Sequence, residues 1–252
     1  MTWRIIVVPI EYINVIDPDS DDVARFHDNV LIEAFPDFYV REDIPILRRN
    51  LREGTWTDNG ELCRYHLIVA KKDGNVVGGM SFYFFSFGDY AIGMGSYIGV
   101  MKEHRKGGIG IKLIDLRDKA LLKDARELGQ YTKGLVIQVN DPSLMKINEI
   151  KHDSMDPWKR EMFWRRRGYK KVAFNFIQPA IKPEYPPIEY LSLHIYPYSK
   201  EWSDLQKISR NELHNITHCF VRCTGTIGPI ETDPAYMRMK SELADQSFFA
   251  VI

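Results

Sequence analysis

Along the chain the spacing of hydrophobic side chains changes several times, and each change marks an element. Residues 3–10 concentrate β-branched and apolar side chains and predict a first strand. The turn signal Asp17-Pro18-Asp19-Ser20-Asp21, with Ser20 or Asp21 as N-cap, leads into a helix. In it Val23, Phe26, Val30, Ile32 and Phe35 recur at helical spacing until Pro36 stops it. A second helix over 41–52 carries Ile44, Ile46, Leu47 and Leu51 and ends at Gly54. The period then becomes two. Strands at 65–70 and 76–85 flank a hairpin turn at Lys71–Asn75, and a third at 90–101 completes an antiparallel meander. Helical spacing returns with Ile109, Leu113, Leu116 and Ala120, and Gly129 ends that helix. Gly134–Val139 is almost wholly apolar, as expected of a buried strand reached by a parallel crossover.

Residues 140–155 are polar and irregular, a helix is expected over 156–167, and two strands over 171–178 and 188–196. Beyond Pro197 the pattern is helical, with Trp202, Leu205, Ile208, Leu213, Ile216 and Phe220 on one face and a further helix over 234–246. This predicts a first domain over residues 1–200 and a helical C-terminal extension over 201–252.

Composition narrows the field. The 252 residues carry 34 basic and 34 acidic side chains, so there is no whole-molecule field to attract nucleic acid. Three cysteines, Cys63, Cys219 and Cys223, are too few for a disulfide scaffold and indicate free thiols in a reducing compartment, the cytoplasm. The N-terminal apolar run is bounded by Pro9 and Glu11, and no run of 18 apolar residues occurs, so neither a leader nor a membrane span is expected.

Candidate chemistry lies where strand meets helix, at Arg105-Lys-Gly-Gly-Ile-Gly110. Glycines there let backbone amides turn toward an anion at the positive end of a helix dipole. The glycine spacing and the preceding meander exclude a dinucleotide fingerprint, and the absence of Gly-Lys-Ser/Thr excludes a P-loop. The stretch Tyr97-Ile-Gly-Val-Met-Lys-Glu-His-Arg-Lys-Gly-Gly-Ile-Gly110 instead resembles the central Arg-x-x-Gly-x-Gly motif of the GNAT superfamily of acyl-CoA-dependent N-acyltransferases. Phe163-Trp-Arg-Arg-Arg-Gly-Tyr169 is similar to that family's later motif, and the order of elements over residues 1–200 matches its fold.

The resemblance implies an α+β fold, a mixed and mostly antiparallel central sheet flanked by helices. It also implies acetyl-CoA, or another acyl-CoA, as co-substrate; no metal is expected, since no metal-ligand motif occurs. Amides of Arg105, Lys106, Gly107, Gly108, Ile109 and Gly110 would hold its pyrophosphate. Ile98, Gly99 and Val100 would pair with the pantetheine arm, the Ile98 amide would steady the thioester carbonyl, and Asn140 would touch the arm. The strands on either side of that point would diverge. The acceptor would be an amine on a small molecule or peptide. The helical extension would close the site or support a homodimer.

The sequence departs from the family at the usual acid: the Tyr four residues before the later motif's glycine is replaced by Trp164, whose indole cannot donate its proton usefully. The strand offers no carboxylate base, leaving Ser96 and Tyr97, of which Tyr97 is the candidate for proton transfer. Three readings follow: a transferase, a CoA-binding module without turnover, and an interaction domain with a structural glycine loop. Elsewhere, Lys159, Arg160 and Arg165–Arg167 read as a solvated helix face, and His214, His218 and Cys223 as helix residues without a metal motif. The run Phe82–Phe87 reads as a strand covered on both faces.

Overall fold

The two-residue period of the meander builds the centre of the molecule. The structure, a computed structural model, describes residues 9–58, 61–223 and 229–252. The main sheet comprises β1 (Glu11–Val15), β2 (Thr55–Asp58), β3 (Glu61–Lys72), β4 (Asn75–Ser86), β5 (Tyr90–Val100), β6 (Tyr131–Asn140), β7 (Lys170–Lys171) and β8 (Leu191–Pro197). Their order is β1-β3-β4-β5-β6-β8-β7, with β2 also on β3. Every pair is antiparallel except β5–β6, the parallel crossover expected from the apolar β6 sequence.

Both faces are covered. On one lie α1 (Asp21–Arg25), which continues through a π-helical stretch (Phe26–Leu31) into α2 (Ile32–Ala34), and α3 (Ile44–Glu53). On the other lies α4 (Ile109–Glu127). The aromatic run alternates accordingly: Phe82 and Phe84 pack with Leu113 and Leu121 of α4, whereas Tyr83 and Phe85 join the core containing Phe26 and Leu47. Between β6 and β8 come α5 (Ile147–His152), in a stretch that reads as irregular, and α6 (Pro157–Arg165), capped by Asp156. Beyond β8, α7 (Lys200–Ser203), α8 (Arg210–Cys223) and α9 (Pro234–Asp245) accompany a small ribbon of β9 (Lys207–Ser209) with β10 (Phe248–Ala250).

Three expectations are corrected or fall outside view. Residues 3–8 of the expected first strand lie outside the described residues, and the strand observed begins at Glu11. The strand expected over 171–178 shrinks to β7, because Val172 bridges to Val251 and Ala173 donates to the Ala250 carbonyl, so the C-terminal segment takes the place of a sheet partner. The helix expected through Trp202 and Phe220 is broken by β9, where Ile208 pairs with Phe249. Trp202 is fully buried against Gly134 of β6. Among the described residues no helix is long and apolar enough to cross a membrane.

One buried polar group stands out beneath α3. The side chain of Glu42 is 3% exposed, and its Oε2, like the hydroxyls of Tyr65 and Ser81, has no hydrogen-bond partner among the described residues. Burial raises its carboxyl to about 8, with Arg49 pulling it back. The folded state therefore holds this proton more tightly than the unfolded chain, and its stabilising effect is present below pH 4.5 and lost as pH rises through about 8.

Two outcomes are expected in denaturant unfolding. Glu42→Gln should match the wild type near pH 5 and exceed it by a few kcal/mol, on the order of 1.4 per pH unit of the shift, near pH 9. Gly134→Ala places a Cβ against the Trp202 ring and the Tyr196 carbonyl and should cost about 1–3 kcal/mol.

Candidate functional site

The site begins with a sheet that stops pairing. β5 and β6 are in parallel register from Tyr90↔Tyr131 to Gly95↔Ile137 and no further. On its other edge β5 carries a bulge at Ser96, since Ser81 faces Tyr97 while Phe82 faces Gly95. β6 meanwhile continues on β8 as far as Asn140↔Leu191. The two central strands thus part beyond Gly95 and leave a cleft between Ser96–Val100 and Gln138–Asn140.

The ladder phase says which backbone groups face this cleft. Met101 donates to the Val77 carbonyl at 2.9 Å, and Gly78 lies opposite Val100, Gly79 opposite Gly99, and Met80 opposite Ile98. In an antiparallel pair hydrogen-bonded and non-hydrogen-bonded positions alternate, so Gly99 bonds to β4 while Ile98 and Val100 turn their N–H and C=O away from it, into the cleft. On this phase the β4 ladder does not take up the Ile98 and Val100 amides, and the β6 register ends before them. The Val100 carbonyl accepts from Arg105 Nε at 2.9 Å.

Beyond the strand the chain turns through a short 3-10 turn, Lys102–His104, into the glycine loop. Lys106 (φ 69) and Gly108 (φ 80) are left-handed, and Gly108 occupies the N-cap of α4, whose first intrahelical bond runs from Lys112 to the Gly108 carbonyl at 3.0 Å. The amides of Ile109, Gly110 and Ile111 precede that bond and have no partner among the described residues. Gly107 and Gly110 need neither positive φ nor relief from crowding: a Cβ would find its nearest neighbours at 3.6 Å from Gly107 and 3.8 Å from Gly110, ordinary contact distances. Their glycines keep the loop's outer surface bare, the form required to bring a diphosphate against the amides of a helix N-terminus.

Glu33 of α2 fixes this loop, its Oε1 accepting from the Lys102 amide at 2.7 Å and from Arg105 Nη2 at 3.1 Å. The Arg105 guanidinium therefore shapes the loop from inside. Sequence spacing gave no sign of this, because Glu33 lies 72 residues away.

The other expected residues sit as follows. The Tyr97 hydroxyl donates to the Val40 carbonyl at 2.9 Å and accepts from the Glu42 amide at 3.1 Å; burial, and then the Glu42 charge, push its phenol well above the ordinary value. Asn140 is at the open end of β6, where its Nδ2 donates to Asp153 Oδ2 at 2.8 Å, and Asp153 is paired in turn with Arg160. Trp164 is buried edge-on against Tyr169, with ring centroids 4.9 Å apart. A further contact escaped the sequence: the Tyr190 hydroxyl, just before β8, donates to Asp37 Oδ2 at 3.0 Å. Asp37 caps the short turn Phe38–Val40 that Tyr97 holds, so this bond spans the cleft from the β6/β8 side to the β5 side.

Unpaired strand groups leading to bare helix amides can bind an extended chain ending in a diphosphate, with a carbonyl placed on the Ile98 amide. Comparisons with known proteins bear on family and fold. Residues 28–145, which contain the diverging strand, the glycine loop and α4, match the model of the acetyltransferase (GNAT) family. No curated protein matches the chain by sequence. Among solved structures, a GNAT-family protein from Bacteroides thetaiotaomicron superposes with a TM-score of 0.51 at 14% identity, over 83% of this chain and 94% of its own, a likeness of fold. Another, NAA60 of Arabidopsis thaliana in complex with acetyl-CoA, gives 0.45 at 13% identity over 75% of this chain and 99% of its own. The loop, the split strand and the family match together place a GNAT acetyltransferase domain at residues 28–145 of this chain.

Proposed function

We propose that the protein transfers an acetyl group from acetyl-CoA to a primary amine by direct attack. One observation carries this: the cleft-facing Ile98 and Val100 backbone groups run directly into the unpartnered amides of Ile109–Ile111. In this reading Ile98, Gly99 and Val100 form the edge that holds the pantetheine arm, and the loop from Arg105 to Gly110 holds the pyrophosphate. Asn140 stands on the opposite wall. The thioester supplies an acyl carbon open to a neutral amine. The new C–N bond forms as the C–S bond breaks, its electron pair leaves on sulfur, and a proton restores the thiol while the amine gives up one to water. The Ile98 amide donates to the carbonyl oxygen as negative charge gathers there. Tyr97, with its hydroxyl shared between Val40 and Glu42, holds the segment that walls the acceptor side.

Calorimetric titration with acetyl-CoA tests the first link. Binding in the micromolar range is expected, and Gly107→Val with Gly110→Val should weaken it at least tenfold, about 1.4 kcal/mol, with the melting temperature of the free protein unchanged. Binding without release of free thiol across a broad amine panel would favour the silent CoA-binding module that Trp164 suggests. Equal response of wild type and variant would leave the loop a structural turn.

A further inference from the structure

The acceptor side of the cleft has a wall that the glycine loop and the family match leave undescribed. The segment before β8, rich in proline at Pro179, Pro183, Pro186 and Pro187, lies against the turn after α2 at three places. Tyr190 donates to Asp37, Lys182 pairs with Asp43 at 2.6 Å, and the Tyr185 ring packs edge-on against Phe38 and Tyr39, with centroids 5.4 and 4.9 Å apart. Prolines fix such a strap without intrastrand hydrogen bonds, so its position depends on these contacts. Because the Asp37 turn is tied to Tyr97 and the main chain of Tyr190 to Asp141, the strap sits where the strands part.

Two features of this wall bear on what it takes. Tyr190 is buried, yet its hydroxyl is pinned to a carboxylate that also accepts from the Tyr39 amide at 2.8 Å, so the Asp37 oxygens are fixed in direction. Immediately beside it Phe38 remains 48% exposed although one side of its ring is packed, which leaves an apolar surface next to a fixed negative charge. A fixed carboxylate pairs with an ammonium, and an adjoining aromatic surface takes the carbon body that bears it.

Resting on the transferase reading above, we propose that Asp37 and Tyr190 are positioning residues for the acceptor, and that the acceptor is a primary amine on an aromatic or aliphatic body, not a polycation or an amino sugar. The Asp37 carboxylate holds the incoming ammonium, which gives one proton to water before attack; the Tyr190 oxygen accepts from the same nitrogen once it is neutral, and Phe38 covers the adjoining carbons.

The test uses the full chain saturated with acetyl-CoA, with 2-phenylethylamine, hexylamine, spermidine and kanamycin as probes and free thiol as readout. Turnover of the two apolar amines with kcat/KM at least tenfold above that of spermidine and kanamycin is expected. Tyr190→Phe and Asp37→Asn should each raise KM for the preferred amine about tenfold or more with kcat within a few-fold, and Phe38→Ala should do so for 2-phenylethylamine. None should alter acetyl-CoA affinity, and Asp37→Glu should restore part of the loss. Preference for spermidine or kanamycin, no turnover of either apolar amine, or variants with unchanged KM would each overturn the proposal. If wild type fails to bind acetyl-CoA, the transferase reading itself fails, and the two failures are thereby told apart.

Discussion

Everything at this site depends on one parallel strand pair that ends early. An open edge inside a sheet is costly, since each unpaired backbone group kept from water forfeits about 1–3 kcal/mol. Here the split is forced from both sides. β5 stays with β4 through Gly78↔Val100, and its bulge at Ser96 bends it toward that partner; β6 stays with β8 through Asn140↔Leu191. Neither strand can close the gap without giving up its outer ladder. The Ile98 groups and the Val100 amide are thus left presented by the structure around them, the preorganisation that the proposed carbonyl and extended arm require.

The helical layer reinforces that split. A Cβ at Gly79 would lie 2.7 Å from Phe26 Cδ2, and one at Gly99 2.7 Å from Val30 Cγ1, so the helix rests directly on the backbone of β4 and β5. Both contacting residues fall within the π-helical stretch, where one more residue per turn changes which side chains face the sheet. Three residues beyond Val30 comes Glu33, which leaves the helix aimed at the Lys102 amide and Arg105. Close packing on two glycines and the anchoring of the glycine loop are therefore parts of one arrangement: a larger residue at Gly99 would lift the helix and with it the carboxylate that shapes the loop.

Much of this was legible in the amino acids. The meander, the parallel crossover into β6 and the glycine loop all follow from local pattern: β-branched alternation, a fully apolar strand after a helix, and glycines at a helix start. What stayed hidden depends on long-range partners. A bulge at Ser96 has no composition signal, because its neighbours Gly95 and Tyr97 suit a regular strand equally well. The strand expected over 171–178 is cut short although its alternation is real, with Phe174 and Phe176 both buried: the sheet holds it only as far as the Val172 amide on Leu193, and Val172 and Ala173 pair with residues 250–251 instead. The pairing of the Arg105 guanidinium with Glu33 joins residues 72 positions apart and has no local signal. The Tyr190–Asp37 bond joins residues 153 positions apart, each unremarkable alone.

The replacement of the customary acid by Trp164 takes its meaning from packing. The indole lies edge-on between Phe163 and Tyr169, and the Tyr169 hydroxyl accepts from the buried Arg117 at 3.0 Å, which in turn holds Asp118 at 2.8 Å. A residue in that stack supports α6 against β6; a phenol there would have to leave it to reach the cleft. The Tyr97 hydroxyl is likewise engaged, by the Val40 carbonyl and the Glu42 amide, so in the proposed transfer the work that falls to the protein is placement. Fixing a carbonyl on one amide and an amine in line with it can supply several kcal/mol of the barrier through orientation alone. On the proposed reading selectivity resides in the walls of the cleft, and the contacts there, Tyr190 with Asp37 across it and Asn140 with Asp153 at the end of β6, can change without disturbing the strands beneath.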